Sequence, residues 1–263
     1  MKRILILCLI GLTSLSCKKE GEVTPADTCR LAQFVNGGGP NQFTYDQTGS
    51  LTKWVITIPV SSSTSDIIQY DFTRDATGRI SSLNQTRTFE GKQMPTAIAQ
   101  FTYTNGLLTS TSTTLDPAKP GSISRTFTYD TNGRMSKRVV SDKTSGFTST
   151  EGYEYDSQGN CTKYNYADSY GIKNEIISTY DTTKNPEQLL LKSIPFNLLT
   201  GLPWSVNAVL TTKESFDDGT GAVTYTSKQT DLKTDTNGYV TSVTLTYNDG
   251  YVGKTTYSLM NCQ

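Results

Sequence analysis

Short runs of alternating apolar and polar residues recur along most of this chain. Phe127 and Tyr129 are separated by Thr128, and Tyr153 and Tyr155 are likewise one residue apart. A period of two with one apolar face is typical of a half-buried β-strand. The pattern therefore predicts a chain built almost entirely of β-strands.

A turn phrase follows many of these runs: Asp, two residues, Gly, one residue and an apolar side chain. Between Gly49 and Gly159 its glycines recur every 26 to 29 residues, which indicates one structural unit used repeatedly. Asp at the first position and Gly at the fourth fit a type I turn, in which the carboxylate accepts turn amides and the glycine takes positive φ. We assign this structural turn role to Asp46, Gly49, Asp75, Gly78, Asp130, Gly133, Asp156, Gly159, Asp235 and Gly238.

Each unit then consists of two antiparallel strands and two turns, and the predicted fold class is all-β. The units add up to an antiparallel up-and-down meander of about 12–16 strands. A flat meander of that length would expose two edges and a broad apolar face, so we expect it to curl into a barrel or a strongly bent sheet.

Residues 187–204 break the alternation and form the most apolar stretch after the N-terminal segment. Pro186 could begin a short helix, whereas Pro195 and Pro203 prevent a long one. We expect a short helical or irregular insertion that closes one end of the barrel. The alternative is a segment that gates a ligand or binds a partner.

The N-terminus has the parts of a secretory signal: Lys2 and Arg3, a short apolar run, and small residues before Cys17. Cys17 resembles the lipidated cysteine of a bacterial lipobox, although Ser14 stands where Leu is usual; the alternative is an ordinary signal with an incidental cysteine. The predicted organisation is a lipoprotein signal peptide (1–16), a flexible tether (17–28) and a single β domain (29–263).

The amino-acid composition disfavours several classes of function. The formal net charge is zero, and loss of the signal makes it −2, so no basic field exists to attract nucleic acid. The chain has no histidine, which removes the commonest general base and metal ligand. We therefore expect no catalytic residue, no metal and no cofactor, and a protein that is not an enzyme.

Three cysteines of the β domain have different expected roles. Cys161 occupies the apolar position after a turn glycine, so it should be a small buried side chain. Cys29 and Cys262 lie near the two ends of the domain and could form a disulfide if the sheet closes, although connectivity cannot be deduced from sequence.

The alternating aromatics offer a possible ligand surface on the concave face of the sheet. The alternative is that they fill the core. The candidate ligand-facing residues are Trp54, Tyr70, Tyr103, Tyr129, Tyr155 and Trp204.

The phrase at Tyr129–Met135 and Asp75–Ile80 resembles the YD repeat of Rhs-type proteins. Together with Cys17–Glu20, Tyr180–Pro186 and Asp235–Tyr239, it resembles a class of Bacteroidetes-type lipoproteins of unknown function. That resemblance implies a porin-like β fold over roughly residues 30–262, and it implies no activity.

The leading functional hypothesis is an exported lipoprotein, anchored to the bacterial outer membrane through Cys17, that binds a glycan or lipid-like ligand or has a structural role. One alternative is an integral outer-membrane barrel, which the polar outward positions Thr126, Thr128, Glu154 and Lys163 disfavour. Another is a hydrolase that uses paired carboxylates. The turn aspartates are poor candidates for such a pair because their place in the turn already explains them.

Overall fold

A computed structural model describes residues 29–61, 64–115, 121–192, 194 and 205–262. The predicted signal peptide (1–16), the tether (17–28), Cys17 and Trp204 lie outside the described residues.

The described residues form seventeen β-strands and one 3₁₀ helix. In chain order the strands are β1 (Arg30–Asn36), β2 (Gly39–Tyr45), β3 (Leu51–Pro59), β4 (Ser65–Arg74), β5 (Ile80–Phe89), β6 (Lys92–Gln93), β7 (Ala97–Thr104), β8 (Leu107–Thr114), β9 (Ile123–Tyr129), β10 (Met135–Asp142), β11 (Thr148–Tyr155), β12 (Cys161–Asp168), β13 (Lys173–Lys184), β14 (Asn207–Asp217), β15 (Val223–Thr234), β16 (Val240–Tyr247) and β17 (Val252–Met260). The helix spans Pro186–Lys192, between β13 and β14.

The strands close into an antiparallel barrel. Sixteen of them, all except β6, form the barrel in sequence order, with β5 paired to β7. The last strand, β17, returns to pair with β1, where Phe34 lies opposite Tyr257. The two-residue β6 pairs only with β5. The predicted up-and-down β-meander and its closure into a barrel are confirmed. Closure leaves no long strand edge exposed, which is the physical reason for it.

The Asp-x-x-Gly phrase forms the turns at one end of the barrel. In the third full copy the Asp130 carboxylate accepts the amides of Asn132 and Arg134, at 2.9 Å each, and the Gly133 amide donates to the Asp130 carbonyl. Gly133 has a φ of 75°, which favours glycine. The same hydrogen bonds recur at Asp46, Asp75, Asp156 and Asp235.

Tyrosines of the same phrase link neighbouring units. The Tyr129 hydroxyl donates to the Leu108 carbonyl and the Tyr155 hydroxyl to the Met135 carbonyl, both at 2.7 Å. Each acceptor is the apolar residue that follows the turn glycine of the preceding unit. The Arg134 guanidinium also stacks over the Tyr155 ring at 4.8 Å. These contacts explain why Tyr, Asp, Gly and Arg occur together in one phrase.

Packed side chains fill the interior on the side formed by β1 to β12, which we call the packed region. A ladder of aromatic rings crosses β1 to β4, with centroids 5.9 Å apart for Phe34–Phe43, 5.5 Å for Phe43–Trp54 and 5.4 Å for Trp54–Tyr70. A second cluster, under β8 to β12, includes Phe127, Tyr153 and Tyr164. Cys161 is buried in this second cluster as a free thiol.

The insertion covers the turn end of the barrel. Its helix begins at Pro186, and the side chains of Leu190 and Ile194 are fully buried in the same cluster as Leu31 and Leu51. Residues 195–204 lie outside the described part of the chain. The described half of the insertion therefore packs into the barrel instead of projecting away from it.

A disulfide joins Cys29 to Cys262 across 233 residues, with their Cα atoms 4.3 Å apart. It lies where β1 begins and β17 has just ended, so it fastens the seam of the barrel at the end that the insertion covers.

Candidate functional site

A cavity of about 440 Å³ occupies the interior beside β13 to β17, which we call the cavity region. It extends from the insertion, at Asn185, Pro186 and Glu187, to Tyr247 at the end of β16. β12 closes one side with Cys161 and Tyr164, and those two residues belong to the packed region. The cavity therefore lies between the wall of the barrel and the edge of its core.

In the middle of the cavity region the inward side chains carry no aromatic rings, and this leaves the cavity open. Cross-strand pairing places Ile176 opposite Glu214 and Ser178 opposite Thr212, and continues from Thr212 to Ser227. None of these inward positions carries an aromatic ring like those of β1 to β4. Interiors normally pack closely, so an interior left open to this extent is unusual.

A buried acid and a tyrosine define the closed end of the cavity. The Tyr257 hydroxyl donates to the Glu187 Oε1 at 2.9 Å, across 70 residues of sequence. Burial raises the pKa of the Glu187 carboxyl above its ordinary value, and the hydrogen bond from Tyr257 opposes that rise only in part. The carboxyl is therefore biased towards its neutral form, in which it can also donate a hydrogen bond.

A short chain of hydrogen bonds attaches Ser205, the residue that follows the insertion, to strands β12 and β13 of the barrel wall. The Ser205 hydroxyl donates to the Tyr180 hydroxyl at 3.0 Å, and Tyr180 donates to the Cys161 carbonyl at 2.5 Å. The Asn185 side chain donates to the Ser205 carbonyl at 3.2 Å. Burial raises the pKa of the Cys161 thiol to about 11, so this free cysteine is a weak nucleophile at neutral pH.

The second carboxyl group of the lining lies near the opposite end. Glu214 accepts a hydrogen bond of 2.7 Å from the Asn174 side chain. Following the strand register from Tyr257, the partner of Glu187, to β14, Glu214 lies about eight residues away along the strands, on the order of 25 Å. That exceeds the separation of about 5 to 9.5 Å that paired acids need for glycoside hydrolysis.

The lining is apolar with hydroxyl groups and two acids, and no lysine or arginine is among the described residues that line it. Aliphatic walls come from Ile176, Val209, Val243 and Leu245. A ligand that carries a negative charge would find no counter-charge among these described side chains, whereas neutral or cationic molecules with apolar parts fit them.

Most of the sequence-predicted aromatic residues lie elsewhere. Trp54 is 0% exposed and donates to Asn41 Oδ1 at 3.1 Å, so it presents no surface to a ligand. Tyr129 and Tyr155 hold the backbone of neighbouring units, and Tyr103 lies beneath the Arg79 guanidinium at 4.9 Å. Tyr70 lines a second, smaller cavity within the packed region.

The turn aspartates do not converge on a reaction site, because each lies in its own turn. Hydrogen bonds from Thr77 and Arg79 lower the pKa of the Asp75 carboxyl to about 2, which keeps it ionised as a turn acceptor. Within the described ranges, no three side chains of the His, Cys, Asp and Glu types come together as a metal site.

Sequence reasoning missed the residues that define the cavity: Glu187, Glu214, Leu245 and Tyr257. A weak signal was available, because many inward positions of β13 to β16 carry Ser, Thr, Val or Leu, whereas earlier strands carry Phe, Trp and Tyr more often. The contact between Glu187 and Tyr257 depends on barrel closure and has no local signature.

Solved structures with this architecture are known. A porin-like protein from Bacteroides uniformis aligns with a TM-score of 0.55 at 12% identity, covering 87% of this chain and 97% of that one. The chain has a porin-like β-barrel fold. A porin-like protein from Bacteroides vulgatus aligns less well, with a TM-score of 0.41 at 9% identity over 87% of this chain and 98% of that one.

No protein-family model and no curated protein matches this sequence. In the part of the chain that the structure describes, no helix is both long enough and apolar enough to cross a bilayer.

Proposed function

We propose that this protein is a lipid-anchored lipoprotein of the bacterial cell envelope whose barrel binds a small, neutral or cationic, partly apolar molecule. The observation that carries the proposal is the cavity of about 440 Å³ between the wall of the barrel and the edge of its core. A volume of this order is typical of small-molecule sites, which are mostly apolar with a few polar groups that orient the ligand.

The polar groups of the cavity set the expected chemistry of the ligand. Glu187 and Tyr257 lie at the closed end, and Glu214 lies towards the other. An amine, amide or hydroxyl group could bond to these acids, while an apolar body lies against Val243 and Leu245. A glycan remains within this class, whereas a fatty acid is disfavoured by its charge.

The outer surface supports a lipid anchor over an integral barrel. Lys53 lies 3.8 Å from Asp71, and Lys163 lies 2.9 Å from Glu175, in both cases on outward positions within the strands. A barrel that spans a membrane needs an apolar outer band about 25 Å tall, and charges in that band are costly. The exterior therefore favours attachment through Cys17.

The acids of the cavity support binding over hydrolysis. Glu187 and Glu214 lie at opposite ends, so they do not form the close carboxylate pair of a glycosidase. The hydrolase alternative would need an acid and a nucleophile facing one bond, and the lining offers neither a histidine nor a thiol with a lowered pKa.

A ligand screen by thermal shift tests the binding proposal. The full chain is screened against neutral, cationic and anionic amphiphiles and neutral glycans, and each hit is repeated with Leu245→Trp, which fills the cavity. Val252→Trp is the matched control, since Val252 is 56% exposed at the start of the neighbouring strand.

We expect neutral or cationic hits to stabilise the wild type and the control but not Leu245→Trp. The binding proposal fails if the hits are mainly anionic, or if Leu245→Trp responds as the wild type does.

Membrane attachment is tested separately by carbonate extraction of a Cys17→Ala variant. A lipid-anchored protein loses its membrane association with that cysteine. An integral barrel would stay in the pellet, and that result would overturn the anchor.

A further inference from the structure

The smaller cavity, on the packed side of the barrel, contains a half-buried arginine that forms no ion pair with an acid in the described part of the chain. It measures about 80 Å³ and is lined by Arg125 of β9, Tyr70 of β4, Gln85 of β5 and Thr111 of β8, together with an apolar wall. The wall consists of Leu83, Ala97, Ala99 and Phe101, and Thr113 completes the lining. This cavity does not share a lining residue with the larger one.

The charges of this interior do not balance. Arg138 pairs with Glu151 at 2.6 Å, and that pair is largely buried. Arg125 lies two residues before the inward-facing Phe127 on β9, so its side chain points into the same interior. Their partners on β10 are Val140 and Arg138. Among the described residues no salt bridge joins Arg125 to an acid, and its guanidinium donates to the Thr113 hydroxyl at 3.0 Å.

The pKa values of Arg125 and Tyr70 reflect this unpaired charge. Burial lowers the pKa of the Arg125 guanidinium, and the nearby charge of Arg138 lowers it further, while the charge of Glu151 opposes these effects only in part. Burial also raises the pKa of Tyr70 to about 12, and Arg125 is the charge that opposes this rise, which places the phenol close to the guanidinium. An anion beside Arg125 would remove the imbalance.

A second polar group points to a ligand independently of the charge. The Thr111 side chain is 4% exposed, and its Oγ1 has no hydrogen-bond partner within the described residues. Such a buried hydroxyl normally has a partner, since an unsatisfied one costs stability. Thr111, Arg125 and Tyr70 line the same small volume, so one bound group could satisfy all three.

We propose that this cavity is a binding site for a short-chain carboxylate of the size of acetate or propionate. The guanidinium fork would hold the two carboxylate oxygens, as in paired hydrogen bonds between Arg and carboxylate elsewhere. The hydroxyls of Thr111 and Tyr70 would donate to the remaining lone pairs. The alkyl part would lie against Ala99 and Phe101, and the volume, equal to about two or three waters, excludes long chains.

Calorimetric titration of the full chain in detergent, in a zwitterionic buffer without added chloride, tests the site. The probes are acetate, propionate, octanoate, chloride and propionamide, the uncharged counterpart of propionate. We expect acetate or propionate to bind with a Kd in the millimolar range or below. Propionamide, chloride and octanoate should bind at least tenfold more weakly.

Two variants locate the binding. Arg125→Gln should weaken it roughly 10- to 100-fold, because a charged hydrogen-bond pair is lost. Thr111→Val, which keeps the shape of the side chain, should weaken it by about fivefold and leave a folded barrel even if Arg125→Gln does not fold. Arg79→Gln is the control for charge, since Arg79 is bound to Asp75 in a turn at 3.0 Å.

The proposal is overturned if no carboxylate binds, if chloride or propionamide binds as tightly as propionate, or if Thr111→Val binds as the wild type does. None of these results bears on ligand binding in the larger cavity. The carboxylate site and the proposed function can therefore be refuted independently of each other.

Discussion

The two sides of this barrel share one backbone plan but have different interiors. In the packed region, inward aromatics such as Trp54 and Tyr70 meet ring to ring, and the side chains of Leu51 and Trp54 are 0% exposed. In the cavity region, inward positions carry Ser178, Thr212 and Leu245, and a cavity remains. The comparison indicates that the repeat specifies the wall and its turns, whereas residue size on the inward face decides whether the interior is core or site.

The largest expected contrast comes from truncation on each side. Trp54→Ala removes a fully enclosed ring from the aromatic ladder and should cost about 3–5 kcal/mol of unfolding free energy. Leu245→Ala removes a side chain that already faces open space, so its cost should be nearer 1 kcal/mol, below the usual range for a buried leucine. Equilibrium denaturation of both variants measures the contrast, and similar losses would remove the distinction between the regions.

The disulfide offers the next contrast, because it joins the first strand of the packed region to the last strand of the cavity region. The double variant Cys29→Ser/Cys262→Ser should lose about 2–5 kcal/mol. Amide hydrogen exchange should then become faster in β16 and β17 than in β3 and β4. The cavity region has fewer packed side chains to hold β17 against β1 once the disulfide is gone. Equal protection in both places would mean that the two sides unfold together.

A pH series should give the smallest effect and bears on the closed end of the cavity. The pKa of Glu187 is raised in the folded protein, so its contribution to stability is complete below the ordinary value of 4.5 and is lost as pH rises through the folded value. Glu187→Gln should therefore match the wild type near pH 4 and become the more stable protein at neutral pH. A wild-type advantage that grows with pH would contradict the buried, neutral carboxyl.

The comparison also explains what could be predicted from the sequence. The strands, the turns at Asp130 and its equivalents, the buried Cys161 and the helix start at Pro186 follow from local rules, because alternation, turn residues and proline act within a few residues. The closed sheet followed from the repetition of these local units, because a long meander has to hide its edges. The porin-like character of the fold was implied only by the resemblance.

The binding features could not be predicted in the same way, because they depend on residues that meet only after the barrel closes. Glu187 meets Tyr257 across 70 residues, and the charge on Arg125 is conspicuous only once Arg138 is seen to pair with Glu151. The aromatics expected to face a ligand were chosen for their chemistry. Trp54 and its neighbours instead fill the core, while the larger cavity is lined by other residues, such as Val243 and Leu245.

The same substitution on both sides tests the difference between them most directly. Leu51→Trp and Leu245→Trp each add a large ring at an inward leucine, and urea denaturation gives the change in unfolding free energy. We expect Leu51→Trp to cost about 1–3 kcal/mol or more, because the packed region has no room for the ring. Leu245→Trp should cost less than about 1 kcal/mol, since the cavity accepts it. Equal losses in the two variants would contradict a barrel that is filled on one side and hollow on the other.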